Sequence, residues 1–206
     1  MPTLEWLGHA TMRITDNNTV VYLDPWKLTG KEAKADIILI SHEHFDHLSA
    51  EDIAKIRKPG AVILCPADCV AKAGAGARAL APGETAVEKG ISVKGIPAYN
   101  TNKEFHPRKN KWLGFLVTIG GQVFYFAGDT DVIPEMASLG KVDTACLPIG
   151  GTYTMTAEEA AGAAKTIAPK RAVPYHWGDI VGSEADAKKF KSLCGCPVDI
   201  LKPCKP

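Results

Sequence analysis

The sequence predicts an α/β fold in which a sandwich of mixed β-sheets is covered by helices. Two observations support this prediction. Apolar or alternating segments of strand length recur along the whole chain, and segments of helix length with N-terminal caps lie between them. Because 206 residues suit one domain with a sizeable core, we expect residues 1–206 to form a single domain.

The strands are predicted from their side-chain pattern. Two segments near the N-terminus, TLEWLG and TMRITD, alternate apolar and polar residues, as half-buried strands do. Later segments are continuous apolar runs, and several end in Gly, Pro or Asp, which favour turns. These runs are NTVVYLDP, ADIILISH, GAVILCP, ISVKGIPA, GFLVTIGG, QVFYFAGD, DTACLPIGG and RAVPYH.

The helices are predicted from residues that cap their first turns. Ser49 precedes acidic residues and the segment DIAKIRK. Thr156 and Glu159 have the spacing of a capping box at the start of TAEEAAGAAKTIA. Ser183 is the expected cap of SEADAKKFKSLC, which should stop at Gly195. Between these elements, residues 97–111 form the longest stretch without a pattern, and loops of that length are often functional.

Composition narrows the classes of partner. The formal net charge is +1, so no strong field favours nucleic acid, and nucleic-acid processing is disfavoured. No apolar run reaches the length of about 18 residues that spans a membrane. The N-terminal MPTLEWLGHA has no basic segment followed by an apolar one, so a cytoplasmic location is the default expectation. The cysteines are then expected to be free thiols, namely Cys65, Cys69, Cys146, Cys194, Cys196 and Cys204.

The densest chemical signal is the segment SHEHFDH, which directly follows the predicted strand ADIILI. It supplies His42, His44, Asp46 and His47 within six positions. His42 and His44 face the same way if the segment stays extended, whereas Asp46 and His47 come after a turn. Imidazole nitrogens together with a carboxylate suit Zn²⁺ and related transition metals, so the segment predicts a metal site.

Two further strands also end in residues that bind metals. Asp129 follows the strand QVFYFAG, and His176 follows RAVPY. Either residue alone is typical of a turn or a cap. Ends of strands that share a sheet edge converge, however, so the three segments together indicate one site on a rigid scaffold.

These motifs make the chain similar to the metallo-β-lactamase superfamily. The match runs from LGHAT to YHWG and includes the H-x-H-x-D-H motif, Asp129 in GDT and His176. The resemblance is greatest to small, stand-alone hydrolases of the ascorbate-6-phosphate lactonase type. It implies a four-layer αβ/βα sandwich, in which two mixed sheets are flanked by helices and metals lie at one rim.

The resemblance also implies how the ligands are divided. One divalent cation would be held by His42, His44 and a third histidine, and a second by Asp46, His47 and His176, with Asp129 bridging the two. Zinc is favoured, with manganese or iron as alternatives. His44 stands where the oxygen-reducing diiron branch has glutamate, which favours hydrolysis over redox chemistry.

The third histidine of the first site is where this chain departs from the family pattern. The position after the strand ISVKGIPAY is Asn100 instead. We expect His106, six residues further on, to fold back and supply the nitrogen. The alternatives are Asn100 through its amide oxygen, and a first site that is weak or empty.

Two more residues after short strands are placed near the metals by the resemblance. Asp24 is expected to orient a ligand histidine. His9 is expected to face the substrate or to orient a ligand, and we take His9 and Asp46 as the candidate catalytic residues.

The leading functional hypothesis is a hydrolase in which hydroxide between two cations attacks a small anionic ester, lactone or phosphodiester. Arg108 and Lys109, near His106, are the expected contacts of an anionic substrate, with Tyr153 at the rim. The rival hypotheses are a non-catalytic metal-binding or regulatory module and a single-metal oxygenase that acts on a thiol or persulfide. A homo-oligomer is compatible with each of them, and no membrane partner is expected.

Overall fold

Two β-sheets stacked face to face form the centre of the molecule, as seen in a computed structural model that describes residues 1–204. Each sheet contains six strands, and within each sheet neighbouring strands are consecutive in the chain. The first half of the chain therefore forms one sheet and the second half forms the other.

The first sheet has the strand order β1-β2-β3-β4-β5-β6. Strands β1 to β3 pair antiparallel, and β3 to β6 pair parallel. Their bounds are Thr3–Gly8 (β1), Thr11–Asp16 (β2), Thr19–Leu23 (β3), Ala35–Leu39 (β4), Arg57–Cys65 (β5) and Ala77–Ala79 (β6).

The second sheet has the order β12-β11-β10-β9-β8-β7. Strands β7 to β10 pair antiparallel, and β10 to β12 pair parallel. Their bounds are Thr85–Glu88 (β7), Ile91–Pro97 (β8), Leu113–Ile119 (β9), Gln122–Phe126 (β10), Thr144–Pro148 (β11) and Arg171–Tyr175 (β12).

Helices cover the outer faces of both sheets. On the first sheet lie Ala50–Ile56 (α1) and Val70–Ala73 (α2), and on the second lie Ala157–Ile167 (α3) and Glu184–Leu193 (α4). Short 3₁₀ turns occur at Ala67–Cys69, Arg108–Asn110 and Pro134–Ser138. The four-layer αβ/βα sandwich that the resemblance implied is confirmed.

The core has three layers, which follow from the alternation of side chains along the strands. Between the sheets, buried residues such as Trp6, Leu39, Phe115 and Phe126 pack together. The outer faces of the sheets bury separate apolar clusters under α1 and α2, and under α3 and α4. Both sheets are therefore held from two sides, which makes their strand ends rigid supports for loops.

The ten predicted strands and the three predicted helices are present. Ser49 and Thr156 cap α1 and α3 as expected, and the capping box with Glu159 is formed. The hydroxyl of Ser183 donates to the Asp186 carboxylate rather than capping the backbone of α4, which ends at Leu193. Strands β6 and β7 and helix α2 were not predicted, because they are only three or four residues long.

No helix among residues 1–204 is long and apolar enough to cross a membrane. All six cysteines are free thiols in the structure, as expected, although the sulfur atoms of Cys194 and Cys196 lie 3.5 Å apart.

Gly114 allows the backbone of β9 to approach the end of β10 closely. A Cβ atom at this position would lie 2.6 Å from the Ala127 carbonyl oxygen, two residues before Asp129. We expect Gly114→Ala to lower the free energy of unfolding, measured by urea denaturation, by about 1–3 kcal/mol through overpacking.

The matched control is Gly162→Ala on α3, where an added Cβ would meet no atom within 4 Å. This substitution should stabilise the protein by about 0.5–1 kcal/mol, because alanine favours a helix over glycine. Equal effects of the two substitutions would contradict the close approach at Gly114.

Candidate metal centre

Loops that follow six strands meet at one edge of the sandwich. His9 follows β1, Asp24 follows β3, and the segment 42–47 follows β4 in the first sheet. In the second sheet, Asn100, Asp129 and His176 follow β8, β10 and β12. The histidine, aspartate and asparagine side chains among them are buried, apart from the half-buried His44. The fold therefore brings together the predicted metal-binding residues from both halves of the chain.

The first group of donor atoms consists of His42, His44 and His106. Their ring nitrogens lie within 4.8 Å of one another, and His42 Nε2 is 3.0 Å from His44 Nδ1. The ring of Trp112 lies against this group, 4.9 Å from the centroid of His42, and its Nε1 donates to Asp68 at 2.8 Å. The structure thus places His106, from the 97–111 loop, beside the first two histidines of the motif.

Asn100 holds His106 in this position. The Asn100 side-chain oxygen accepts a hydrogen bond from the His106 backbone N–H at 2.9 Å and lies 3.0 Å from His106 Nδ1. Because an amide oxygen can only accept, this contact requires the proton on Nδ1. The unprotonated Nε2 then keeps a free lone pair that can bind a metal ion. Asn100 Nδ2 donates to the Tyr153 carbonyl oxygen at 3.0 Å and to Asp131 at 3.2 Å. The amide oxygen of Asn100 is therefore engaged with His106.

The second group consists of His9, Asp46, His47 and His176, whose donor atoms also lie within 4.8 Å of one another. Asp46 Oδ2 is 2.8 Å from His9 Nε2, 3.5 Å from His47 Nε2 and 3.8 Å from His176 Nε2. His9 Nδ1 lies 3.1 Å from the carbonyl oxygen of Asp179. His9 thus lies between the Asp46 carboxylate and the backbone of the 177–182 loop, and a neutral ring donates a hydrogen bond to only one of them.

Asp129 lies between the two groups. Its Oδ2 is 3.4 Å from His106 Nε2 of the first group, and 3.4 Å from His47 Nε2 and 3.1 Å from His176 Nε2 of the second. One buried carboxylate therefore faces imidazoles from both groups.

Asp24 and Ser41 support the centre from below. Asp24 Oδ2 is 2.7 Å from His47 Nδ1 and accepts from the Ser41 hydroxyl at 2.5 Å, while Oδ1 accepts from the Ser41 backbone N–H at 2.7 Å. The Ser41 oxygen also lies 2.8 Å from His42 Nδ1. These contacts fix the ring orientations of His42 and His47, which is the role expected for Asp24.

Three residues of the centre adopt left-handed backbone conformations. The φ angles are 47° for His9, 45° for Asp24 and 61° for His176. Such angles are uncommon outside glycine, and they cluster at functional sites where the surrounding structure holds them. Each of the three follows a strand directly, so the sharp turn aims its side chain into the centre.

The buried charges act strongly on one another. Burial opposes a charge on His47, but the carboxylates of Asp129 and Asp24 raise its pKa well above the ordinary value. Burial lowers the pKa of His42 well below its ordinary value and that of His106 to about 4, so both rings are neutral at pH 7. Despite its burial, Asp129 has a pKa well below its usual range because His176 and His47 stabilise the carboxylate.

The donor set fits bound metal ions. Several buried atoms of these residues have no hydrogen-bond partner among residues 1–204, and those near the other donors are His47 Nε2, His106 Nε2, His176 Nε2 and Asp129 Oδ1. Unpaired buried polar atoms are costly and call for an explanation such as a bound ion. Neutral imidazoles and carboxylates at these spacings are ligands of zinc and related metals.

A cleft of about 320 Å³ opens directly above the centre. Its floor contains His44, Asp46, His106, Asp129 and His176, and its wall contains Tyr153 as predicted from the sequence. Phe45, Phe105 and Ile180 complete the lining.

Arg108, predicted with Lys109 to contact the substrate, makes its side-chain contacts away from the cleft. Its guanidinium pairs with Glu135 at 3.0 Å and lies over the ring of Tyr99 at 4.8 Å, because the 3₁₀ turn directs it away from the cleft. Lys109 is exposed, and within residues 1–204 neither side chain contributes to the lining of the cleft. Glu43, between the two histidines, pairs with Lys72.

Two residues that support the site were missed in the sequence. Ser41, the first residue of SHEHFDH, connects Asp24 to His42. Asp131 organises the 97–111 loop by accepting from the backbone of Thr101 at 2.7 Å and from the Lys103 ammonium at 2.6 Å. Asp131 follows Asp129 by two residues in GDTD, and that spacing was the available signal.

Comparison with known proteins gives a consistent match. Residues 3–176 match the family described as the beta-lactamase superfamily domain. A UPF0173 metal-dependent hydrolase of Thermococcus onnurineus is 34% identical to this chain, and the alignment covers 98% of this chain and 97% of the relative.

Solved structures show the same fold. A protein of Parabacteroides distasonis superimposes with a TM-score of 0.88 and 34% identity, and the match covers 98% of this chain and 94% of that one. Igni18, a metallo hydrolase of Ignicoccus hospitalis, superimposes with a TM-score of 0.80 and 24% identity, over 99% of this chain and 96% of that one.

We expect Asn100→Ala to weaken zinc binding by about 10- to 100-fold, because His106 loses the partner that fixes its tautomer and orientation. Isothermal titration calorimetry measures the affinity. Asn102→Ala is the control, since Asn102 lies in the same loop, is exposed, and bonds through its side chain to Lys103. Equal zinc affinities in both variants would show that Asn100 does not hold His106.

Proposed function

The chain belongs to the metallo-β-lactamase superfamily, and we propose that it is a metal-dependent hydrolase of a small-molecule ester, lactone or phosphodiester. The name of its relative from Thermococcus supports this class of activity. The size of the cleft supports a small substrate, because 320 Å³ is near the lower end of the range of about 300–1,000 Å³ that ligand pockets span.

The position of Asp129 carries the proposal. Its carboxylate faces His106 on one side and His47 and His176 on the other. We infer that His42, His44 and His106 would hold one divalent cation and that Asp46, His47 and His176 would hold a second, with Asp129 shared between the two groups. Zinc is the favoured metal because the donors are imidazoles and carboxylates, with manganese and iron as alternatives.

A pair of divalent cations lowers the pKa of water toward about 7 and polarises the carbonyl or phosphoryl oxygen under attack. The chain's own residues orient the reactants. Asp46 lines the cleft and can accept a proton during the attack, while His9 fixes its carboxylate from behind. Tyr153 stands at the wall and contacts the part of the substrate away from the reacting bond.

We expect Asp129→Ala to lose bound metal and hydrolytic activity together, because both donor groups lose their shared carboxylate. Asp129→Asn keeps the shape of the side chain and removes its charge, so it should show the same loss if the fold is intact. Loss of a residue that only supports a metal ligand costs up to about 100-fold in activity. Because Asp129 is itself a proposed ligand, activity should fall by more than this.

Elemental analysis measures the metal content, and a panel of p-nitrophenyl esters, lactones and bis-p-nitrophenyl phosphate measures hydrolysis. The control is Asp199→Ala, which removes a partly exposed carboxylate that pairs with Arg171 on the second sheet. Retention of metal and activity in both Asp129 variants would contradict the bridging role. Tight binding of a ligand without any hydrolysis would favour a binding module, and oxygen consumption with bound iron would favour an oxygenase.

His9 is a positioning residue in this scheme, because it touches Asp46 rather than the substrate. We expect His9→Ala to lower kcat by about 10- to 100-fold while metal content is kept. His9→Gln should restore part of kcat, since its amide places a donor near the Nε2 position that faces Asp46. His9→Asn should restore less, because its shorter amide corresponds to the Nδ1 position that faces Asp179. The same kcat in the Gln and Asn variants would contradict this role.

A further inference from the structure

The rim of the cleft is apolar although it is exposed to solvent. Phe45, Phe105 and Ile180 line the cleft and remain 68%, 47% and 48% exposed. Four other large apolar side chains among residues 1–204 are similarly exposed, and they lie elsewhere on the surface. An apolar group at one functional opening, contributed by three separate loops, indicates a contact surface rather than scattered surface residues.

Each rim residue is directly linked to the donors below it. Phe45 lies between His44 and Asp46 in the sequence, and Phe105 precedes His106. Ile180 follows His176 by four residues in the 177–182 loop. The rim is therefore continuous with the floor, so a molecule that reaches the donor atoms also contacts the rim.

Aromatic contacts hold the two phenylalanines in place. The ring of Phe45 packs edge-on against Trp26 with centroids 5.8 Å apart, and that of Phe105 packs edge-on against Tyr153 at 4.7 Å. Both distances suit favourable aromatic pairing. The two rings therefore each have one aromatic neighbour while they remain partly exposed in the lining of the cleft.

The backbone of Ile180 adopts a conformation that is unfavourable for a β-branched residue. Its φ angle is 66°, a left-handed value that is a marked outlier for a β-branched residue. The turn is closed by Gly178 N–H donating to the Gly182 carbonyl at 3.3 Å and by a bridge between Asp179 and Val181. Asparagine or glycine suits this backbone better, so the isoleucine indicates a role for its side chain at the rim.

Three cations of the loops around the cleft are engaged elsewhere, and Lys109 is exposed and does not line the cleft. Lys27 pairs with Asp179 at 2.7 Å and lies over Trp26, Lys103 pairs with Asp131 at 2.6 Å, and Arg108 pairs with Glu135 at 3.0 Å. The lining of the cleft contains no lysine or arginine among residues 1–204. An anionic tail on a substrate would therefore find apolar carbon and no fixed cation at the rim.

We propose, on the basis of the proposed hydrolase function, that the substrate carries an uncharged apolar group next to its scissile bond. The group is a short aliphatic chain or a ring that packs against Phe45, Phe105 and Ile180. Because burial of several methylenes is favourable and burial of an unpaired charge is costly, the rim should strongly prefer an apolar group over a charged group of the same length. The sequence predicts a small anionic substrate, and this proposal departs from that expectation for the part of the substrate that contacts the rim.

A matched pair of esters tests the proposal. p-Nitrophenyl hexanoate and the p-nitrophenyl half-ester of adipic acid share a leaving group and a chain length, and differ by a terminal carboxylate. With the metal-loaded protein, kcat/KM should be at least about tenfold higher for the hexanoate, a difference of about 1.4 kcal/mol. Equal values, or a preference for the adipate half-ester, would overturn the proposal while leaving the hydrolase function intact.

A binding measurement keeps the test independent of turnover. Hexanohydroxamic acid and the monohydroxamic acid of adipic acid are not hydrolysed esters, and their affinities are compared by calorimetry. Tighter binding of the hexanoyl compound supports the apolar rim even if no ester is cleaved, in which case only the hydrolase function fails. Tighter or equal binding of the carboxylate compound overturns the rim proposal.

Substitutions at the rim show which side chains cause the preference for the hexanoate ester. Phe45→Ala and Phe105→Ala should lower the hexanoate-to-adipate ratio of kcat/KM several-fold, whereas Val87→Ala, at an exposed apolar position on β7, should leave the ratio unchanged. Ile180→Lys should reverse the preference by adding a cation at the rim. Unchanged ratios in the rim variants, together with a changed oligomeric state in size-exclusion chromatography, would assign the rim to contact with a second copy of the chain.

Ile180→Gly separates strain from function. Removing a β-branched residue from a left-handed position should raise Tm by a few degrees, since about 1 kcal/mol corresponds to about 2–4 °C in a protein of this size. The same variant should lower the hexanoate-to-adipate ratio. A higher ratio in this variant would contradict a role for the Ile180 side chain in substrate contact.

Discussion

His47 lies between two buried carboxylates that belong to opposite sheets, and the geometry of the centre depends on this arrangement. Asp24, after β3 of the first sheet, is 2.7 Å from His47 Nδ1. Asp129, after β10 of the second sheet, is 3.4 Å from Nε2. A carboxylate buried in an apolar interior is costly unless it is paired. The pairing therefore joins the edges of the two sheets at one imidazole, and a shift of one sheet against the other would leave a charge without its partner.

The sandwich makes this arrangement possible because it supports the strand ends from both faces. Apolar layers pack on each side of both sheets, so the ends of β3, β4, β10 and β12 are rigid. The sharp turns that follow β1, β3 and β12 hold His9, Asp24 and His176 in left-handed conformations. Such conformations cost about 1–3 kcal/mol each and persist only where the surroundings fix them. The stability of the core is thus used to hold side chains at angles that a flexible loop would not keep.

Much of the fold and the centre was predictable because it follows from local pattern. Strand segments are marked by alternation or apolar runs, and SHEHFDH, Asp129 and His176 each stand at a strand end. The exchange of roles between Asn100 and His106 was only partly predictable, because it requires the chain to return over six residues and place one side chain on the other. Arg108 shows a different limit. A basic residue near a site in sequence has no predictable direction, and here Glu135 and Tyr99 draw it away.

The metal centre and the rim of the cleft differ in the chemistry of their side chains. The floor consists of charged and imidazole groups that are fixed by buried hydrogen bonds, such as those of Asp24 and Asn100. The rim consists of exposed apolar side chains on the loops that carry these groups. Because the rim side chains make few buried contacts, their identity can change with little effect on stability, whereas changes in the floor remove the partners of buried charges. The class of reaction is therefore tied to the fold, and the choice of substrate is tied to a few replaceable side chains at the mouth of the cleft.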